Sequence, residues 1–392
     1  MHSPLSTVKT RFIGLLFIGV IVGYTTPSFA DNMVVPDPPQ LAAKSWIMVD
    51  YDSGRVLAES NASMRVEPAS LTKIMSSYII SRELANKRLA MNDMVTISQD
   101  AWKQEGSRSF INVGAQVPVE VLVHGMIIQS GNDATVALAE KVAGSSEVFS
   151  QLMNEHAKRL GAKNTNFVNP TGLPHPEHYT TAEDMAKIAI AEIKEYPDIY
   201  SIYAKKEYTW NGIKQQNRNR LLWQDESVDG MKTGHTNSAG YCLVASAKRG
   251  NMRLVTVILG ADSEKARIQE TQKLLNYGFR FYETHPLYQA NQALQQVRVW
   301  QGETDEVAIG TERALHLTIP RGQYEKLKPI IEFQPDLMAP IQKGQTIGSL
   351  KVTLADKELA SIPLVAMSDV SEGGFFKRVI DQAKLALIRL TK

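Results

Sequence analysis

The 392-residue chain carries 43 Lys and Arg against 41 Asp and Glu, with 43% hydrophobic residues, 21% charged residues and one cysteine. That composition excludes a disordered tail and a disulfide scaffold, and the near-balance of charge leaves no electrostatic footprint for nucleic acid. The length exceeds the roughly 250–300 residues at which a single hydrophobic core stops growing, so two domains are expected.

Residues 1–30 hold Lys9 and Arg11 and no acid, then an apolar and glycine run from Phe12 to Tyr24, then Pro27-Ser28-Phe29-Ala30. Basic, apolar and small-residue segments in that order predict a cleaved secretory signal peptide, and the run is too short to span a membrane as a helix. An exported chain with a single cysteine forms no internal disulfide, and Cys242, inside the strand-like Tyr241–Ala245, reads as a buried structural thiol.

From Val35 to Pro39 three prolines make an extended lead-in. Ser45–Tyr51 and Arg55–Ala58, joined by Asp52-Ser53-Gly54, predict a hairpin. Helical patterns dominate from Pro68 to about Lys194 with turns at Gly106, Gly114, Gly131 and Gly144; strands return from Asp229, with Gly240–Ala247 and Met252–Leu259 as a second hairpin, and Arg267–Tyr282 is helical again. Strand, helices, strands and a closing helix argue for an α+β fold: an antiparallel sheet flanked by helices, with an all-helical subregion, over residues 31–286.

Short alternating segments at Leu294–Trp300, Ala314–Ile319, Lys328–Phe333 and Ser349–Leu354 predict a small all-β domain over 287–370. After Gly373-Gly374 a terminal amphipathic helix, within 371–392, puts Phe376, Val379, Ile380, Ala383, Leu387 and Leu390 on one face. Residues 373–392 hold five bases and one acid, Asp381, a charge pattern suited to an anionic membrane surface. Leu385 and Ile388 fall off the apolar face.

Three short patterns follow one another: Ser70-Leu71-Thr72-Lys73, Ser130-Gly131-Asn132 and Lys232-Thr233-Gly234. Ser-x-x-Lys alone is expected about once in a chain of this size, and Ser6-Thr7-Val8-Lys9 also matches it. Context separates Ser70: Pro68 prepares a helix start, and three residues of helix place Lys73 beside the Ser70 hydroxyl. A serine needs a base to become a nucleophile, and a lysine serves only when neutral. A second cation nearby, with Lys232 the candidate, together with partial burial would favour that form. Taken singly, Ser130–Asn132 is a turn with Asp133 as a helix cap, and Lys232 an edge-strand lysine.

Together the three motifs resemble the active-site set of penicillin-binding proteins and serine β-lactamases. The longer strings Pro68-Ala-Ser-Leu-Thr-Lys73, Gln129-Ser-Gly-Asn-Asp-Ala134, Asn169-Pro-Thr-Gly-Leu173 and Gly230-Met-Lys-Thr-Gly-His235 narrow the resemblance to low-molecular-mass D-alanyl-D-alanine carboxypeptidases. The resemblance implies an exported enzyme at the periplasmic face of the bacterial inner membrane, trimming the terminal D-alanine from peptidoglycan stem peptides and acylated by β-lactam antibiotics. It implies no cofactor and no metal. It assigns attack to Ser70, proton acceptance to Lys73, proton donation to the leaving amine to Ser130, and peptide binding to Asn132. Lys232 would supply positive charge, Thr233 with Arg267 would bind the terminal carboxylate, and Gly234 lies in the binding strand. The backbone N–H groups of Ser70 and His235 would form the oxyanion hole. Without the resemblance Arg267 reads as a surface helix residue.

Two other readings share the sequence. A class A β-lactamase carries a deacylating glutamate in Glu-x-x-Leu-Asn, where this chain has Asn164-Thr-Asn-Phe-Val-Asn169. A non-catalytic, membrane-tethered envelope scaffold would keep the fold without the chemistry. A metal site at His175-Pro-Glu-His178 is disfavoured, because proline in that loop keeps the two histidines off one helix face.

Overall fold

The computed structural model describes residues 35–391, so the expected signal peptide at 1–30 lies outside the described residues. Five strands form the central antiparallel sheet: β1 (Ser45–Asp50), β2 (Val56–Ser60), β3 (Val228–Thr236), β4 (Gly240–Arg249) and β5 (Met252–Ala261), in the order β2-β1-β5-β4-β3. Both faces are buried, and the period-2 alternation of a strand divides them. Ile47 and Val49 of β1 belong to one apolar cluster, whereas Trp46 and Met48 belong to the other.

The longer helices of the catalytic region are α1 (Thr72–Ala85), α2 (Asn132–Ala143), α3 (Ser146–Arg159), α4 (Ala182–Glu195) and α5 (Glu264–Phe281). Three start on side-chain caps: Ser145, Thr181 and Ser263 accept the N–H of Val148, Asp184 and Ala266. Leu274 and Leu275 of α5 share a cluster with the Trp46 and Met48 face, while α1, α2 and α4 contribute to the opposite one. The sequence reading missed two small hairpins, Met94–Thr96 with Gln116–Pro118 and Glu207–Trp210 with Ile213–Gln216, which are short and mostly exposed. Lys232-Thr233-Gly234 lies at the centre of β3, whose outer edge closes the sheet.

Seven strands follow: β6 (Tyr282–Tyr288), β7 (Gln292–Arg298), β8 (Glu306–Thr311), β9 (Leu315–Pro320), β10 (Leu327–Phe333), β11 (Thr346–Leu354) and β12 (Lys357–Ala366). They form a two-stranded pair, β6-β9, and a five-stranded sheet, β7-β8-β12-β11-β10, around their own core. Hydrogen bonds from Thr284 Oγ1 to Asp50 Oδ2 (2.6 Å) and from Arg55 to the Thr318 carbonyl (2.6 Å) tie β6 and β9 to the first hairpin. The terminal helix α6 (Phe375–Thr391) rests on this region through buried Asp381, which accepts the Gln301 N–H at 2.9 Å, and through buried Leu385. Its expected apolar face points outward, with Phe376 81% and Leu390 84% exposed, and Leu385 is off that face because it is the docking contact.

Beneath α1, Glu192 is fully buried and accepts the hydroxyls of Ser77 (2.6 Å) and Ser81 (3.2 Å). Burial pushes its carboxyl up to about 8. The unfolded chain ionises this group near 4.5, so stability falls as pH rises from about 4.5 to 8 and is flat beyond. Glu192→Gln, which copies the protonated form, is expected to raise the melting temperature above pH 8 by roughly 4 °C or more and to leave it unchanged near pH 4.5, as thermal melts across pH would record.

Candidate active site

Ser70 lies in a 3-10 turn, Ala69–Leu71, that runs directly into α1. The turn is strained, since Ala69 takes the left-handed φ of +49°, and it is gripped from two sides. A Cβ on Gly172, itself at φ +87°, would fall 1.8 Å from the Ala69 carbonyl oxygen, and one on Gly234 would fall 3.1 Å from that of Pro68. Glycine is therefore required at Gly172 both by conformation and by the approach of the nucleophile's own turn.

One helical turn on, Lys73 is 1% exposed. Its Nζ donates to Ser70 Oγ at 3.1 Å, to Asn132 Oδ1 at 2.6 Å and to the Thr171 carbonyl at 2.7 Å. Burial pulls its pKa down to about 7, and the charge of Asp133 works in the opposite direction. Burial is what lowers this amine, without a contribution from the expected cation Lys232.

Ser130 occupies the left-handed region at φ +65°, where a wide helical turn, Gly125–Gln129, gives way to α2. Lys232 reaches across from β3 and donates to Ser130 Oγ at 2.9 Å and to the Thr233 carbonyl at 3.0 Å. Burial first, then the charges of Lys73, Arg218 and Arg267, push Lys232 well below the ordinary lysine value. Asn132 is engaged at both ends, because its Nδ2 also donates to the Glu105 carbonyl at 2.5 Å. Asp133 is not at the cap position expected, since α2 begins at Asn132; from inside the first turn its carboxylate accepts the N–H of Ser109 and of Ala134.

Ser70, Ser130 and Asn132 open onto a cleft of about 500 Å³, which Thr233, Gly234, His235 and Arg267 also line. His235 is exposed and stacks on Tyr241, with ring centroids 4.0 Å apart. Arg267 is not the surface residue that its helical pattern suggested: it is 5% exposed, held by Glu264 at 3.2 Å with its guanidinium 5.6 Å from the Tyr241 ring. Its Nε has no hydrogen-bond partner among the described residues. Two participants escaped the sequence reading. Arg218 lines the cleft from a loop without a motif, and the Thr171 contact is a backbone carbonyl, which no residue type announces. The string Asn169–Leu173 was the available signal: Asn169 Oδ1 accepts the N–H of Thr171, Gly172 and Leu173 and shapes the turn that presents that carbonyl.

His178 is committed to the scaffold. Its Nδ1 accepts the Val168 N–H at 3.1 Å, which leaves Nε2 to donate to Thr72 Oγ1 at 2.8 Å. Among residues lining the cleft, Glu264 is the one carboxylate, and it is paired with Arg267.

Residues 32–263 match the D-alanyl-D-alanine carboxypeptidase family, and residues 282–372 match the C-terminal domain of penicillin-binding protein 5. The chain is 46% identical over 366 residues to D-alanyl-D-alanine carboxypeptidase DacC of Escherichia coli K12, covering 91% of each. It is 42% identical to DacA of the same organism over 382 residues, covering 94% of this chain and 95% of that one. Among solved structures, penicillin-binding protein 5 from Haemophilus influenzae aligns with a TM-score of 0.84 at 42% identity, over 86% of this chain and all of that one. The Streptomyces K15 DD-transpeptidase aligns with a TM-score of 0.59 at 30% identity, over 62% of this chain and all of that one. With the fold of those proteins and a serine and a lysine meeting at the head of α1, the chain belongs to the D-alanyl-D-alanine carboxypeptidases, the serine peptidases among the low-molecular-mass penicillin-binding proteins.

Proposed function

We propose that this enzyme removes the terminal D-alanine from peptidoglycan pentapeptide stems through an acyl-enzyme on Ser70, and that β-lactams acylate the same oxygen. The observation that carries the reading is the Ser70 Oγ to Lys73 Nζ contact of 3.1 Å around an amine that burial pulls to about 7. The neutral amine accepts the Ser70 proton as Oγ attacks the carbonyl carbon of the penultimate D-alanine. The backbone N–H groups of Ser70 and His235 receive the oxyanion. Collapse breaks the C–N bond. Ser130 Oγ accepts a hydrogen bond from Lys232, so its own proton is free to pass to the departing amine. The proton taken up by Lys73 passes on to Ser130 Oγ, which leaves the amine neutral again; water then attacks the ester, Lys73 takes its proton and gives it to the departing Ser70 Oγ, and Ser70 and a shortened peptide carboxylate are released.

A terminal carboxylate suits the other end of the cleft. Arg218 and Arg267 line it; burial and then the charges of Lys73, Arg218 and Arg267 push Lys232 down, and burial together with the Arg218 charge lowers Arg267. An anion entering among them relieves that repulsion and gives the unpartnered Arg267 Nε an acceptor. Thr233 lines the same space, and the outer edge of β3 offers backbone groups to an extended peptide. Asn132 contacts the substrate only by sharing a bond that it makes to Lys73 or Glu105.

The β-lactamase reading lacks a water-activating carboxylate beside Ser70, so a penicilloyl ester is expected to persist. Ser70→Ala should lower D-alanine release from a D-Ala-D-Ala-terminated peptide by roughly a thousandfold or more, and wild-type kcat/KM should rise through pH about 7 as Lys73 loses its proton. Release that survives in the variant, or fast turnover of benzylpenicillin with the peptide left intact, contradicts the reading.

We further infer that residues 373–392 hold the enzyme at an anionic membrane surface. No helix among the described residues is long and apolar enough to cross a bilayer. The support is the outward face of Phe376, Val379, Ile380, Leu387 and Leu390 on a helix with a net positive charge. Full-length protein should sediment with phosphatidylglycerol vesicles, and a chain lacking residues 373–392 should not; equal sedimentation contradicts the inference.

A further inference from the structure

Asp133 is fully buried and has no basic side chain within ion-pair distance among the described residues. Both of its oxygens act as acceptors: Oδ1 takes the N–H of Ser109 and Ala134 at 2.8 Å each, and Oδ2 takes the Ser109 N–H at 2.9 Å. Acceptance from backbone donors alone is the pattern of the carboxylate form. The surroundings leave it little room to relax. A Cβ on Gly125 or Gly131 would fall 2.3 or 2.0 Å from Ser109 Oγ, and the N–H of Asn132 donates to the Ser107 carbonyl at 2.7 Å, so the 105–109 segment is pressed against the start of α2. A fixed charge in such a rigid, dry place acts further than one at the surface. Next to it in sequence is Asn132, the residue whose amide oxygen holds Lys73.

The charged and titratable groups around Lys73 come from three elements. Lys232 stands across from it on β3, His178 belongs to the loop that presents Thr171, and Asp133 is in the first turn of α2. Burial holds His178 down to about 4, so it is neutral at working pH, and Asp133 is the acidic group that acts on Lys73.

We propose that Asp133 is a positioning residue for the reaction's base, its unpaired carboxylate stabilising the ammonium of Lys73 and thereby setting the pH above which Ser70 is activated. This inference rests on the reading of Lys73 as the base. Burial alone would drive the amine lower, leaving it neutral over a wider pH range but a weaker proton acceptor. A buried carboxylate out of contact restores basicity without forming an ion pair that would keep the proton.

The test is the pH dependence of benzylpenicillin acylation of the full chain. In Asp133→Asn, which keeps one acceptor oxygen and loses the charge, the midpoint of the acid limb should move down by at least ~0.5 pH unit, about threefold in proton affinity. Ser109→Ala, which keeps the backbone N–H that Asp133 accepts and removes only the hydroxyl packed against Gly125 and Gly131, should leave the midpoint at the wild-type value. Asp133→Glu should also leave it there, whatever happens to the rate, and is decisive if Asp133→Asn does not fold. An unmoved or raised midpoint in folded Asp133→Asn, or a shift in Asp133→Glu, overturns the proposal. Lys73→Met run alongside separates the two claims: acylation that persists in it refutes Lys73 as base, whereas its loss together with an unmoved midpoint in Asp133→Asn refutes only the role of Asp133.

Discussion

Lys73 Nζ sits out of water and divides its hydrogen bonds among Ser70, the Asn132 side chain and the Thr171 carbonyl, which belong to three different segments of the chain. The first belongs to the turn that leads into its own helix; the other two must be delivered by the start of α2 and by the loop that follows α3. An amine buried without those acceptors would cost several kcal/mol in lost hydration, so the convergence of the segments and the chemistry depend on one another. Much of the local backbone follows from the same need. Gly172 and Gly234 let the loop and β3 close on the nucleophile's turn, and Ser130 takes a left-handed conformation that brings its hydroxyl to Lys232.

Electrostatics then divides the cleft into two halves. Around Ser70 the environment is poor in charge, and burial sets Lys73 near 7. Towards Arg267 and Arg218 positive charge accumulates: burial first and then neighbouring cations lower both Lys232 and Arg267. A substrate carrying a carboxylate beside its scissile bond meets both halves at once. The binding of its charged end and the attack on its carbonyl therefore involve different groups of one continuous wall, with Lys232 bridging to Ser130 between them.

That the proposed catalytic residues meet in one place was legible in the sequence, because the proposed reaction needs particular side chains at helix and strand spacing. Ser70 and Lys73 are three apart on one helical turn, and the structure places Ser130, Asn132 and Lys232 around them. The central sheet was legible where strands are long and buried, as in β4 and β5. What escaped notice has physical reasons. The Thr171 carbonyl and the strain at Ala69 belong to the backbone and carry no residue signature. Arg218 is an exposed arginine in sequence terms and becomes part of the site only because its loop folds over the cleft. Arg267 has the helical pattern of a surface residue and is buried by Tyr241 and Glu264, contacts that depend on tertiary packing. The terminal helix was read correctly in its two faces, but its docking through Asp381 and Leu385 could not be inferred from amphipathicity, since a buried acid looks like a solvent-facing one until its N–H partner is placed.

The claim on which the account turns is that a buried Lys73 is largely neutral at physiological pH. Direct titration of that amine in the intact protein, by NMR of selectively labelled lysine against a Lys73→Met reference, tests it without recourse to kinetics. The account predicts a midpoint near 7. A Lys73 that stays protonated until pH is near the ordinary lysine value of about 10.4 would contradict it.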